Sequence, residues 1–238
     1  MMIKRITTLI LIIALLASLV GVVACKDTDG DDNKYLVLVN KTNEVDATYI
    51  PDDLVDIDRE YTTGGKSIQL ENTALDALIR MLDDMKKDGI TNVTVTSAYR
   101  TYDYQKKLFD GYMATEAKDH PSWSEDRVRE EVLTYSAAPG TSEHQTGLCV
   151  DLFTDEMEGL YNFGDETKNP YDKGFAETEA FEWLSENAYK YGFILRFPEN
   201  KTGVTGYSYE SWHYRYVGVE HATEIHSQGI TLEEYLDK

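Results

Sequence analysis

The tightest constraint on the fold is a switch in apolar period partway along the chain. Between residues 72 and 87 the apolar positions Leu75, Leu78, Ile79, Leu82 and Met85 recur every three or four residues, a spacing that only a helix gathers onto one face. Gly89 follows as a stop signal. Residues 93–97 (VTVTS) then alternate β-branched and polar groups, the pattern of a short strand. Further helices are predicted over 102–118, 124–135 and 178–191, the last with Gly192 beyond its end. Strands are predicted at 149–153, 193–197 and 213–217, and another at 35–39 (YLVLV). Residues 40–61, with Pro51 and many Asp, read as an extended surface segment. Helices and short strands mix without a βαβ rhythm, and no internal repeat is visible. The expected class is therefore α+β: a single domain with a small antiparallel sheet flanked by helices.

Composition narrows the partners. The 238 residues hold 23 Lys+Arg against 43 Asp+Glu, a formal charge of -20. Binding to a phosphate backbone needs basic groups that displace counterions, so nucleic acid is excluded as a partner. With 42% hydrophobic residues and 17 Tyr, the chain is too rich in core-forming side chains for an acidic disordered segment.

Residues 1–24 carry Lys4 and Arg5, then an apolar run ending in Val22-Val23-Ala24-Cys25. A positive start, an apolar middle and a small residue before the cut mark a secretory signal. The run is also long enough to compete as a simple membrane anchor, but the Cys directly after Ala24 favours a bacterial lipoprotein signal. On this reading Cys25 is lipidated and the body is held at the outer face of the cytoplasmic membrane. Loss of Lys4 and Arg5 with the leader leaves 21 basic against 43 acidic residues, or -22. Residues 25–34 form an acidic tether: Asp27, Asp29, Asp31 and Asp32 have calcium-loop spacing, yet Gly30 is misplaced and the closing Glu is missing. The domain proper is 35–238. Cys149 is left without an intramolecular disulfide partner and reads as a small core residue among Leu148, Val150 and Leu152.

Three clusters carry chemistry. In PGTSEHQTGLCVDL (139–152), His144 precedes Asp151 by seven positions across Gly147; a turn at Gly147 into a strand brings imidazole and carboxylate to one point. In YESWHYRYVG (209–218), Glu210 stands three residues before His213. Two His and one Asp form a three-ligand set suited to a catalytic zinc with a fourth position for water, leaving Glu210 as a base. Taken singly, a His is more often a hydrogen-bonded surface or core residue. It is the joint pattern, with each His beside an acid, that carries the reading. His120, His221 and His226 lack such a setting and read as surface residues. In SAYRTYDYQ (97–105), Arg100 leaves a strand end where a cation can face a developing oxyanion, although an Arg there is more often solvated or salt-bridged. Tyr99, Tyr207 and Tyr209 read as ordinary surface or core tyrosines.

In this order the three clusters resemble the VanY-type D-alanyl-D-alanine carboxypeptidase family of zinc peptidases. Ser97, Arg100 and Gln105 match its S-x-x-R-x-x-x-x-Q stretch. Ser142, His144, Gly147 and Asp151 match S-x-H-x-x-G-x-x-x-D, and Glu210, Trp212 and His213 match E-x-W-H. Departures are small: Ser211 where the family often has Pro, and Ala138 where a basic residue is common. The resemblance implies one zinc per chain at the sheet, held by His144, Asp151 and His213, with Glu210 as general base and Arg100 stabilising the transition state. Ser142 and Gln105 are the candidates for holding substrate, and Trp212 is assigned a packing role. The implied reaction is removal of a terminal D-alanine from peptidoglycan stem peptides by a membrane-tethered monomer. The alternatives are an L,D-carboxypeptidase, a D-Ala-D-Ala dipeptidase and a non-catalytic wall-binding lipoprotein.

Overall fold

A small two-stranded sheet, β1 (Leu54–Asp56) with β2 (Gln69–Glu71), leads directly into α1 (Asn72–Lys87) in the computed structural model. Glu71 caps the helix by accepting the Ala74 amide. The periodic residues Leu75, Leu78, Leu82 and Met85 are buried, as is Met81. Each such side chain contributes roughly 1.5–3 kcal/mol on removal from water. The described residues are 32–155 and 174–237; the leader, Cys25 and most of the acidic tether lie outside them.

The face of α1 rests on a four-stranded antiparallel sheet of β3 (Val93–Ser97), β4 (Cys149–Thr154), β5 (Phe193–Phe197) and β6 (Glu210–Tyr216), in spatial order β3-β4-β6-β5. Strand alternation gives this sheet two unlike faces. Val93, Val95, Val150, Leu152, Tyr214 and Tyr216 join the main core with α1. Cys149, Asp151, His213 and Arg215 project from the other face, where Cys149 pairs with Arg215 and Asp151 with His213. A helical hairpin, α2 (Tyr102–Asp119) and α3 (Glu125–Tyr135), follows β3; Thr101 and Ser124 cap its helices. Beyond α4 (Glu179–Asn187), the short α5 (Thr202–Thr205), α6 (Val219–Gln228) and α7 (Leu232–Leu236) complete the fold. A second apolar cluster of Ile194, Val217, Ala222, Ile225 and Leu232 holds α6 and α7 to the sheet.

Three expectations change. Residues 35–39 are not a strand: Asp32–Leu36 is a 3-10 helix. The carbonyls of Tyr35 and Val37 instead accept hydrogen bonds from Arg215 Nη2, both at 2.8 Å, so a buried guanidinium takes the place of a neighbouring strand. The stretch 40–61 contains β1, whose three residues are too few to show a period. The helix expected over 178–191 breaks at Asn187 and finishes as a 3-10 turn, Ala188–Tyr191.

Gly192 ends that turn at φ 87°, and a Cβ there would lie 2.7 Å from Tyr216 Cε2 and 3.0 Å from the Gly218 carbonyl carbon. Gly89 has φ 98° but nothing within 4 Å. Gly192→Ala is therefore expected to cost about 2–4 kcal/mol, with strain and overpacking combined, and Gly89→Ala about 1 kcal/mol from strain alone. Paired denaturant titrations check the difference; equal losses would refute it.

Candidate metal centre

Ser97, Asp151 and His213 are successive cross-strand partners on β3, β4 and β6, so the sheet itself sets them in a row. His144 arrives from outside the sheet on the 3-10 turn Glu143–Thr146, which Gly147 ends at φ 67°. A Cβ at Gly147 would sit 2.9 Å from Leu54 Cδ2, so the turn anticipated at this glycine depends on its missing side chain. The Arg100 amide donates to the His144 carbonyl at 3.0 Å and ties the turn to the end of β3.

These elements bring His144, Asp151 and His213 together. His144 Nε2 lies 3.2 Å from Asp151 Oδ2, and His213 Nδ1 lies 3.0 Å from Asp151 Oδ1. The two rings stand at 89° with centroids 5.0 Å apart. Glu210, the first residue of β6, brings Oε2 to 3.6 Å from His213 Nδ1. All four groups line a cavity of about 820 Å³, together with Ser97, Arg100, Gln105, Ser142, Tyr207 and Trp212. His120, His221 and His226 are not among its lining residues.

The remaining candidates divide. Arg100 donates from Nη2 to Asp151 Oδ2 at 2.8 Å and from Nε to Ser97 Oγ at 2.9 Å. Gln105 is buried; its Oε1 accepts from Arg100 Nη1 at 3.4 Å and its Nε2 donates to the Ala137 carbonyl at 2.8 Å, so both ends are used within the protein. Ser142 precedes the His144 turn and makes no side-chain cap bond to it. Tyr207 is buried and donates to the Thr141 carbonyl at 3.1 Å. Trp212 packs against the main core as well as lining the cavity.

Electrostatics reflect a dense set of buried charges. Burial and Arg100 both push His144 down, but Asp151 and Cys149 together outweigh them and hold the imidazole up to about 9. Burial alone would raise Asp151; His144, His213 and Arg100 instead keep its carboxyl well below the usual range. Glu210 behaves differently. Burial dominates there, and Asp151 adds repulsion, so its carboxyl is pushed up to about 7.

Two residues matter more than the sequence reading allowed. Cys149 is buried, as expected, but it does not sit among the apolar side chains next to it in sequence. Two positions before Asp151 on the same strand, it shares the polar face, and its sulfur lies within 4.8 Å of the donor atoms of His144 and His213. The i, i+2 spacing was the available signal. Glu143 carries no signal in the sequence, where it is one acid among 43. It is buried, its Oε1 accepting from Arg196 Nε at 2.7 Å and Arg215 Nη1 at 2.8 Å. Its Oε2 lies 3.5 Å from His213 Nε2, and neither of these two atoms has a hydrogen-bond partner among the described residues.

The donor set fits a zinc ion. Two imidazoles and a carboxylate converge, and each imidazole has its other ring nitrogen facing an acceptor: Ala98 O at 2.6 Å for His144 Nδ1, and Glu143 for His213 Nε2. Cys149 is a further potential donor on the same face.

Several known proteins resemble this chain. The model of the VanY family, described as D-alanyl-D-alanine carboxypeptidase, matches residues 67–219. A D-alanyl-D-alanine carboxypeptidase of Enterococcus faecalis (strain ATCC 700802 / V583) is 38% identical over 210 residues, covering 87% of this chain and 68% of that protein. Among solved structures, the LdcB LD-carboxypeptidase superposes with a TM-score of 0.71 at 36% identity, over 87% of each chain. A Zn(II) complex of a mutant VanB-type vancomycin-resistance D,D-pentapeptidase VanY gives 0.65 at 35% identity, over 85% of this chain and 99% of that one. With its motifs in family order and its polar sheet face built around two imidazoles and a carboxylate, the chain belongs to the VanY family of D-alanyl-D-alanine carboxypeptidases and is a metallopeptidase, a hydrolase.

Proposed function

We propose that this protein is a zinc-dependent D-alanyl-D-alanine carboxypeptidase that removes the terminal D-alanine from peptidoglycan stem peptides. The observation that carries this reading is the convergence of His144, Asp151 and His213 beside Glu210 in the wall of one cavity. The Zn(II) complex of the related D,D-pentapeptidase supports it. His144 through Nε2, His213 through Nδ1 and Asp151 are the proposed ligands. When bound, zinc supplies Lewis acidity and lowers the pKa of a bound water from ~15.7 to roughly 7.

The chain's own residues do the rest. Glu210, with a proton affinity near neutrality, is suited to take a proton from water and return it to the leaving amine. Arg100 brings a positive charge to the cavity wall, where it offsets charge developing on the carbonyl oxygen. Gln105 contributes to substrate holding by fixing Arg100, and Ser142, in the lining, contacts the substrate backbone. A second reading, L,D-carboxypeptidase action on tetrapeptide stems, is favoured by the likeness to LdcB. Lipid attachment at Cys25 would keep the body beside emerging wall precursors on the outer face of the membrane. None of the described helices is long and apolar enough to cross a membrane.

Purified protein is expected to release D-alanine from a pentapeptide stem, to stop when a chelator is added and to recover with zinc. Release from tetrapeptide alone would favour the L,D reading, and stoichiometric zinc without turnover would leave a wall-binding role. Glu210→Gln should retain zinc and lose about 100- to 10,000-fold in rate; equal hydrolysis by variant and wild type would refute the mechanism. Metal uptake has a definite pH sign. Below about pH 9 the metal-free site holds a proton on His144 that a cation must displace. Zinc affinity should therefore fall by about tenfold per pH unit for each proton displaced as pH drops, with proton release visible by calorimetry in buffers of different ionisation enthalpy. Cys25→Ala should shift the protein from the membrane fraction to the soluble one.

A further inference from the structure

The two imidazoles are oriented by unlike partners. His144 points its Nδ1 at a backbone carbonyl, Ala98 O at 2.6 Å. His213 points its Nδ1 into the cavity, towards Asp151 and Glu210, and its Nε2 away from it, towards Glu143 Oε2 at 3.5 Å. Glu143 cannot turn aside. Its other oxygen is held between Arg196 and Arg215, both 0% exposed, and Arg196 is locked in turn by a two-point pair with Glu233 at 2.8 and 2.6 Å. A neutral imidazole carries one N–H, and both nitrogens of His213 face carboxylates; with Nδ1 and Asp151 both engaged as metal ligands, Glu143 is the carboxylate left to hold the proton, on Nε2.

We propose that Glu143 is a positioning residue for the metal centre: its Oε2 accepts the Nε2–H of His213 and so fixes the tautomer that offers Nδ1 to the metal. The inference rests on the reading of His213 as a ligand. Arg196 and Arg215 serve the site by holding the carboxylate at that nitrogen. Gln at position 143 would keep its carbonyl oxygen on the two guanidinium groups and turn its NH₂ towards His213 Nε2, which would then have to accept and leave the proton on Nδ1.

The test compares zinc affinity, by chelator competition, in wild type, Glu143→Gln and Glu233→Gln. Glu233→Gln disturbs the same buried charges without facing His213, so both variants should lose thermal stability. Glu143→Gln should bind zinc about 10- to 100-fold more weakly, the usual loss for an orienting group behind a ligand, and Glu233→Gln within about threefold of wild type. Equal affinity of Glu143→Gln and wild type, or an equal loss in both variants, would overturn the proposal while leaving the metal reading intact. If wild type itself took up no zinc, both would fall. Should Glu143→Gln fail to fold, ¹⁵N spectra of the histidine rings in zinc-loaded wild type decide: the proposal requires His213 to be protonated at Nε2, and protonation at Nδ1 sinks it.

Discussion

The buried charge cluster of Glu143, Arg196, Arg215 and Glu233 is the interaction on which the rest of the structure depends. Arg196 on β5 and Arg215 on β6 converge on one oxygen of Glu143, and Arg196 reaches on to Glu233 in α7. Asn40 donates to the same Glu233 at 3.2 Å, and Arg215 gathers the carbonyls of Tyr35 and Val37. One network thus joins the start of the domain, the turn carrying His144, two sheet strands and the last helix. Such a cluster is expensive to bury, but removing one member leaves an uncompensated charge and typically costs about 3–5 kcal/mol. Those segments are therefore held in register by a polar knot as much as by apolar burial.

That arrangement explains how a small sheet can support a reactive site. One face is ordinary core, packed by α1. The other carries Cys149, Asp151, His213 and Arg215, and its charges compensate one another instead of meeting solvent. Because the ligand candidates sit on adjacent strands, their separation follows from ladder geometry and not from loop conformation. Only His144 comes from a turn, and that turn is fixed by Gly147, by the Arg100 amide and by Glu143 inside it.

The overall charge of -20 acts on a different scale. It disfavours polyanions and favours divalent cations near the surface, whereas recognition at the cavity depends on the local cation Arg100 and on any bound metal.

Much of this protein was legible in its sequence, for identifiable reasons. Helix α1 and strand β3 follow from apolar period alone, because each buries one face against a single core, whereas β5 reads as a short apolar run because it is buried on both faces. Spacing paired His144 with Asp151 across Gly147 and Glu210 with His213; that the two pairs meet was implied by the family resemblance, and in the structure it follows from the pairing of β4 with β6. What spacing could not show was environment. The YLVLV segment has strand composition, but its carbonyls are taken by Arg215 from 178 to 180 residues away, a partner invisible to any local pattern. Cys149 has apolar neighbours in sequence and imidazoles in space. Glu143 reads as one acid among 43 until Arg196 and Arg215 close on it. The sequence by itself determined the periodic elements and nominated the candidate groups, because residue type and period are local properties. Only the tertiary structure decided which charges are buried together, because burial is set by packing between distant segments.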